Sequence, residues 1–186
     1  MKPKKTGKST ATVRRGMNRS PIQSQPHALK KKRILPTQAV VRNGGFEDQD
    51  LTPWIANVSN VTGQIFITRT NPHSGNQAVR ISANPGHSVS LRQTISDLRR
   101  GRRYRVTFWV RNLISPFGGR LQISLGEQTY TIQLNSLPSS QYERVSRTFS
   151  ISGNSGTVSR DLVFRVTAQD TFATILLDDV SISRLR

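Results

Sequence analysis

The chain has no cysteine, few aromatic residues and few acidic residues. Without cysteine it can form neither disulfides nor thiolate metal sites. Aromatic residues make up only 6% of its 186 residues, and no apolar run approaches the roughly 20 residues that a membrane span needs. Its start is charged, with no apolar stretch behind it, so we expect no secretion signal and therefore synthesis in the cytoplasm.

Residues suited to catalysis are also scarce. The three histidines are His27, near the N-terminus, and His73 and His87, which fall in predicted turns. The spacings of nucleophile and phosphate-loop motifs do not occur. The ten acidic residues mostly adjoin turns or strand ends, which favours solvation or metal binding over the paired carboxylates of glycoside hydrolysis. The sequence therefore predicts a protein that is not an enzyme.

Basic charge is abundant and unevenly placed. Of 28 lysines and arginines, eleven lie in residues 1–38, where no acidic residue occurs, and the remaining seventeen are all arginine. The eleven are Lys2, Lys4, Lys5, Lys8, Arg14, Arg15, Arg19, Lys30, Lys31, Lys32 and Arg33. With four prolines and no hydrophobic period, residues 1–38 are predicted to be a basic arm that is disordered alone or ordered by a partner. Residues 39–186 are predicted to form one domain.

The arm has two interpretations. It is either a solubilising tail or a segment that lies along an anionic partner, such as nucleic acid, an acidic glycan or a neighbouring subunit. A second basic cluster lies in the predicted turn 97–103. It consists of Arg99, Arg100, Arg102 and Arg103. This turn is either a solvated loop or a further contact with anionic groups.

From residue 39 onward the pattern is that of β-strands. Short runs rich in Val, Ile, Thr and aromatic residues alternate with Gly, Pro, Asn and Ser clusters, at the spacing typical of a β-sandwich. The predicted strands are 64–70, 77–82, 88–95, 103–110, 120–125, 129–134, 143–151, 161–167 and 174–182. No window shows a helical period.

Alternation along the strands suggests one polar outer face. Tyr104, Val106 and Phe108 share the side that must be core, which leaves Trp109 facing outward. We predict a ligand-binding or interface face formed by Trp109, Arg105, Arg111, Gln122 and Gln133. Trp54 is predicted to pack in the core or at its rim, beside Phe46.

Several motifs in order resemble a known family. They are Asn43-Gly44-Gly45-Phe46-Glu47-Asp48, a following Trp54, Asn71-Pro72-His73-Ser74-Gly75, Gln93, Gly101 three residues before Tyr104, and a terminal Leu177-Asp178-Asp179-Val180-Ser181-Ile182. Over residues 39–186 the chain resembles the jelly-roll carbohydrate-binding modules of bacterial xylanases and cellulases. The resemblance implies a single all-β jelly-roll sandwich, aromatic stacking on sugar rings, and a structural calcium.

The calcium would lie where the first and last parts of the domain meet. Glu47, the Gly45 carbonyl and Asp178 supply the oxygen ligands that Ca²⁺ accepts. Asp178 alternates with Leu176 and Val180, which predicts that it points inward, and a buried carboxylate needs a partner. The alternative is that Asp178 only caps a turn or pairs with an arginine.

Three functions are consistent with these observations. The first, and the one we favour from sequence, is a non-catalytic structural protein that self-associates through its basic arm and Arg-rich faces, for example in a bacterial spore or surface layer. The second is a glycan-binding module that uses the Trp109 face. The third is a single-jelly-roll viral coat protein whose arm binds nucleic acid. The predicted partners are thus other copies of the chain or an acidic polymer.

Overall fold

The computed structural model describes residues 39–114 and 119–186, which form ten β-strands and one short 3₁₀ turn. The strands are β1 (Ile55–Asn57), β2 (Gly63–Thr68), β3 (Ala78–Ala83), β4 (Ser88–Arg99), β5 (Arg102–Asn112), β6 (Gly119–Leu125), β7 (Gln128–Gln133), β8 (Glu143–Ile151), β9 (Thr157–Ala168) and β10 (Ala173–Arg184). The 3₁₀ turn spans Leu134–Ser136. The predicted arm, with its eleven basic residues, lies outside the described residues.

The strands form two five-stranded antiparallel sheets that pack face to face. Sheet A has the order β1-β4-β9-β6-β7, and sheet B has the order β2-β3-β10-β5-β8. Alternate residues of each strand point into one shared core, whose largest members include Phe108, Phe149 and Phe164. This is the all-β jelly-roll sandwich that the resemblance implied, and that prediction is confirmed.

The sequence prediction missed one strand and ended another too early. β1 was not predicted, because it has only three residues and pairs only with β4, at the edge of sheet A. β4 was predicted to end at Ile95, but it continues to Arg99 through a bulge between Ile95 and Leu98. Asp97, inside that bulge, has φ of 60°. A bulge lets a strand continue past a local break in its alternation, and sequence periodicity cannot detect it.

The sequence analysis predicted a single outer face formed by Trp109, Arg105, Arg111, Gln122 and Gln133. This prediction is wrong, because the five residues do not share one surface. Trp109, Arg105 and Arg111 lie on β5 in sheet B, whereas Gln122 and Gln133 lie on β6 and β7 in sheet A. The outer faces of a sandwich point in opposite directions. Alternation identifies which residues point outward, but long-range pairing decides which sheet each strand joins.

The segment 43–46 lies against β10, as the sequence suggested. Val180 N donates a hydrogen bond to Gly44 O at 2.8 Å. A Cβ placed on Gly44 would lie 2.0 Å from Val180 O. The absence of a side chain at Gly44 therefore allows its backbone to lie close to that of Val180. The positive φ angles occur beside the glycine pair, at Asn43 (46°) and Phe46 (56°).

Trp54 anchors the other side of this segment. Its indole Nε1 donates to Asn43 O at 2.9 Å, and its ring lies 5.7 Å from that of Phe46 and 6.1 Å from that of Phe164. The prediction that Trp54 packs in the core beside Phe46 is confirmed. No helix among the described residues has the length and apolar character to cross a membrane.

The two adjacent glycines allow a matched test of the close approach. Gly44→Ala should lower the free energy of unfolding by roughly 1–3 kcal/mol, because its methyl group would overlap the Val180 backbone. Gly45→Ala should change it by less than about 1 kcal/mol, since the added Cβ meets only ordinary contacts at 3.6 and 3.8 Å. Urea unfolding of both variants measures the difference. Equal losses in the two variants would contradict this assignment.

Candidate functional site

The loop between β2 and β3 folds over the outer face of sheet B and is held there by His73. The His73 ring stacks on Trp109, with centroids 3.8 Å apart and planes 17° apart, and Tyr142 meets the same ring edge-on at 5.3 Å. His73 Nδ1 lies 2.6 Å from Asp179 Oδ2. The Tyr142 hydroxyl donates to Asn71 O at 2.9 Å, and burial raises the pKa of that hydroxyl. One end of the loop is therefore clamped between two aromatic rings.

Asp178 anchors the same loop through its backbone. Its Oδ2 accepts hydrogen bonds from the backbone N–H groups of His73 at 2.9 Å and Ser74 at 3.2 Å. Its Oδ1 accepts from the N–H of Asp179 at 2.7 Å. The side chain is completely buried, and this burial raises its pKa to about 6, although the three N–H groups act in the opposite direction.

The prediction that Asp178 points into the core is wrong, although the expected burial and need for partners are confirmed. Asp178 is the cross-strand partner of Trp109, so it lies on the outer face of sheet B, where the loop covers it. The register shifts between Asp178 and Ser181, and Asp179 has φ of 49°. This bulge returns Val180 to the core, which is why simple alternation placed Asp178 on the wrong side.

Glu47 holds the far end of the loop. Its Oε1 accepts hydrogen bonds from the backbone N–H groups of Asn76 and Gln77, each at 2.9 Å, and these bonds lower its pKa. Gln77 Nε2 returns a bond to Glu47 O at 3.0 Å. Carboxylates from both ends of the domain thus fasten one loop, 73–77, which we call the clamped loop.

The predicted calcium ligands fit a hard cation in kind, but most of their oxygens are already in use. Both oxygens of Asp178 and Oε1 of Glu47 accept backbone N–H bonds. Glu47 Oε2 has one long contact, at 3.5 Å from Asn76 Nδ2. Among the described residues, the cluster with metal-ligand geometry is His73, Asp178 and Asp179, whose ligand atoms lie within 4.8 Å of one another.

His73 covers one face of the Trp109 ring, so that face is not open to a sugar ring. Of the arginines predicted beside it, Arg111 donates from Nε to Ser139 O at 2.7 Å, and Arg105 is exposed. The residues of this site that the sequence analysis did not assign are His73, Ser74 and Asp179. Ser74 Oγ donates to Asp179 Oδ1 at 2.8 Å. The signal for them was present in the two quoted motifs, 71–75 and 177–182, but only the folded chain brings those motifs together.

The outer face of sheet A is different in character, and we call it the polar face. The sheet register places side chains in rows across β4, β9, β6 and β7, such as Ser90, Arg165, Gln122 and Thr131. The residues that define it are Ser90, Arg92, Arg120, Gln122, Thr131, Gln133, Val163 and Arg165. No aromatic side chain from the described strands lies on it. Four of the eight residues, Arg120, Thr131, Gln133 and Arg165, are exposed, three are half-buried and Ser90 is buried, so a long polar chain could reach the part of the face that β9, β6 and β7 form.

The arginine cluster at 99–103 surrounds the hairpin turn between β4 and β5. Arg99, Arg102 and Arg103 are exposed, and the guanidinium of Arg100 contacts Ser152 O at 3.4 Å. None of the four forms an ion pair within the described part of the chain. Their predicted role in anionic contacts stays a prediction.

The buried carboxyl of Asp178 gives a pH test. The pKa of Asp178 is about 6 in the folded protein, against an ordinary value of 3.8 for an aspartate, so between these two pH values the folded protein holds an extra proton. Wild-type stability should therefore fall as pH rises from 4.5 to 7, and Asp178→Asn should remove roughly 2 kcal/mol of that fall. Urea unfolding with chelator present, at both pH values, measures the two slopes. Identical slopes would show that burial does not perturb this group.

The fold has counterparts among solved structures. TmCBM61, solved with β-1,4-galactotriose, is 18% identical, with a TM-score of 0.59 over 80% of this chain and 100% of that one. A cyclase from Fischerella sp. is 15% identical, with a TM-score of 0.58 over 80% and 96%. A family 16 carbohydrate-binding module is 11% identical, with a TM-score of 0.53 over 76% and 97%. At these identities the likeness shows the fold alone.

Comparison with curated proteins finds no match. A family model described as a carbohydrate binding domain matches residues 38–171, which is most of the chain. The match covers the segment around Gly44, the clamped loop and nine of the ten strands. The resemblance inferred from the motifs is therefore confirmed, and the chain belongs to this family of carbohydrate binding domains.

Proposed function

We propose that the domain is a non-catalytic module that binds a polysaccharide across the polar face. The observation that supports this function is a row of hydroxyl, guanidinium and amide groups that crosses four strands, from the buried Ser90 to the exposed Thr131. Sugar hydroxyls both donate and accept hydrogen bonds, and Gln and Thr side chains complement both roles. Membership of the family supports the same proposal.

The state of the carboxyl groups supports binding without catalysis. In the described residues, Asp178 has a raised pKa, the property expected of a general acid. However, it is fully buried, and three backbone N–H groups occupy its oxygens. A substrate could not reach this carboxyl without displacing the clamped loop. The similarity to cyclases rests on fold alone and does not change this proposal.

The glutamines of the polar face provide the test. Gln122→Ala combined with Gln133→Ala should weaken polysaccharide binding about tenfold, because each removes a hydrogen bond contributing about 0.5–1.5 kcal/mol. Affinity electrophoresis through gels containing plant or cell-wall polysaccharides measures this change.

The matched control is Gln64→Ala combined with Gln141→Ala, two exposed glutamines outside the polar face. It should bind as the wild type does. Equal loss in both double variants would remove the polar face from the proposal, and a wild-type protein that binds none of the polysaccharides would refute the function.

Self-association through the arm and the Arg-rich faces remains an alternative proposal, as does a coat-protein role with nucleic acid on the arm. The +18 charge of the whole chain opposes close packing of identical copies unless an anion lies between them. This repulsion is the reason to favour a glycan over assembly without a further partner. Light scattering of the full chain at low and high salt would measure self-association directly.

We also propose that calcium binds where Glu47, Gly45 and Asp178 approach the clamped loop. Three carboxylates, those of Glu47, Asp178 and Asp179, surround this loop, and no lysine or arginine pairs with them among the described residues. The charge of Asp179 also contributes to the raised pKa of Asp178. A divalent cation would relieve this repulsion and tie the two ends of the domain together.

Calcium should raise the melting temperature measured after chelator treatment. At 100 times its dissociation constant, a ligand of the folded state adds about 2.7 kcal/mol, or roughly 5–10 °C. The gain should shrink below pH 6, because Asp178 is then protonated in the folded protein. A melting curve that is the same with chelator and with calcium would rule out a structural ion.

A further inference from the structure

We propose that the polysaccharide held by the polar face is acidic, and that Arg92, Arg165 and Arg120 bind its carboxylates. This inference rests on the proposed glycan-binding function and adds the chemical class of the ligand. It is carried by the placement of the three arginines and, among the described strands, by their few counterions and by the lack of aromatic rings on the polar face.

The register places the three arginines on one diagonal of sheet A. Arg92 on β4 is opposite Val163 on β9, and Arg165 lies two residues further along β9. Arg165 is opposite Gln122 on β6, and Arg120 lies two residues from Gln122 on that strand. Such diagonal neighbours are separated by about 7–8 Å. The backbone positions of the three arginines therefore lie on a line across three adjacent strands, rather than in a cluster at one point.

Counterions are few along this line. Arg92 pairs with Asp161 at 3.0 Å, and Asp161 in turn accepts a bond from Thr94 at 2.6 Å. Arg165 and Arg120 are exposed, and neither forms an ion pair with a described residue. At physiological salt the Debye length is about 8 Å, so adjacent positive charges on this diagonal still repel one another. An anionic chain along the diagonal would remove that repulsion.

The chemistry of the face selects among anionic polymers. A guanidinium offers a planar fork that binds a carboxylate through two parallel hydrogen bonds. Gln122 and Thr131 lie in the same row as Arg165 and can bind sugar hydroxyls beside each carboxylate. Proteins that bind single-stranded nucleic acids, in contrast, combine a basic groove with aromatic side chains that stack on the bases. The described strands supply no aromatic ring to this face, which favours an acidic glycan over nucleic acid.

The same lack of aromatic rings counts against a neutral glycan as the best ligand. Stacking on an aromatic ring supplies apolar contact that hydrogen bonds alone do not replace. On the polar face, the strongest available interactions are charge-assisted hydrogen bonds from arginine. The excess of basic over acidic residues in the whole chain, 28 against 10, would attract the same ligands from solution.

The experiment compares polygalacturonate with its fully methyl-esterified form, which has the same sugars without the negative charge. Isothermal titration of the full chain should show tighter binding of the acidic form. Arg120→Gln combined with Arg165→Gln should weaken binding of polygalacturonate about tenfold or more, and should leave binding of the ester unchanged.

The control is Arg80→Gln combined with Arg144→Gln, two exposed arginines on the outer face of sheet B. Both double variants have the same net charge, so any contribution from the basic arm is equal in the two. The control should retain binding to within about twofold, since it removes only long-range attraction. An equal loss in the control would overturn the assignment to the diagonal.

The remaining outcomes are also decisive. Equal binding of acid and ester, insensitive to the arginine substitutions, would refute an acidic ligand while leaving the glycan-binding function intact. Failure to bind either polymer or any polysaccharide of the wider panel would refute that function and this inference together. If single-stranded RNA bound more tightly than polygalacturonate and depended on the same arginines, the ligand would not be an acidic glycan. If dextran sulfate did so, the arginines would recognise sulfate groups rather than carboxylates.

Discussion

The contact between Gly44 and the bulge in β10 is the constraint on which the rest of the domain depends. The hydrogen bond from Val180 N to Gly44 O closes the ends of the domain on each other, and no side chain fits between them. In this bulge the backbone of Asp179 has a positive φ, and Asp178 remains on the outer side of the sheet. Because of this geometry, carboxylates from both ends of the domain reach a single loop.

That loop makes the two outer faces of the sandwich unlike each other. On sheet B, the clamped loop covers Asp178, and its His73 occupies one side of Trp109. On sheet A, Arg120, Thr131, Gln133 and Arg165 of the polar face are exposed. A ring stacked on histidine cannot also stack on a sugar through the same side. The ligand surface that we propose therefore lies on the opposite sheet from the tryptophan, where sequence patterns had placed it.

Sequence reasoning succeeded where the signal was local. Alternation in β5 identified Phe108 as core and Trp109 as outward, and the motif order identified the fold and the family. It failed where the outcome depended on distant pairing. Nothing near Gln122 indicates that β6 joins β9 rather than β5, and nothing near Asp178 reveals a bulge one residue later. The burial of Asp178 was predicted from alternation and is confirmed, but for a different reason, because the clamped loop covers this residue on the outer face.

The exclusive use of arginine in residues 39–186 has a physical explanation if the polar face binds an acidic chain. A lysine ammonium is a strongly hydrated point charge, which a polymer can meet from any direction. A guanidinium is planar and less hydrated, so it fixes the orientation of the carboxylate that it binds. On the diagonal, the Asp161 pair already holds Arg92 in one orientation, and Arg165 and Arg120 follow at the spacing that the sheet imposes. The rigid β-sheet would thus fix the spacing of the arginines, so that successive carboxylates of the ligand can align with them. In other binding sites, aromatic rings provide such a fixed surface.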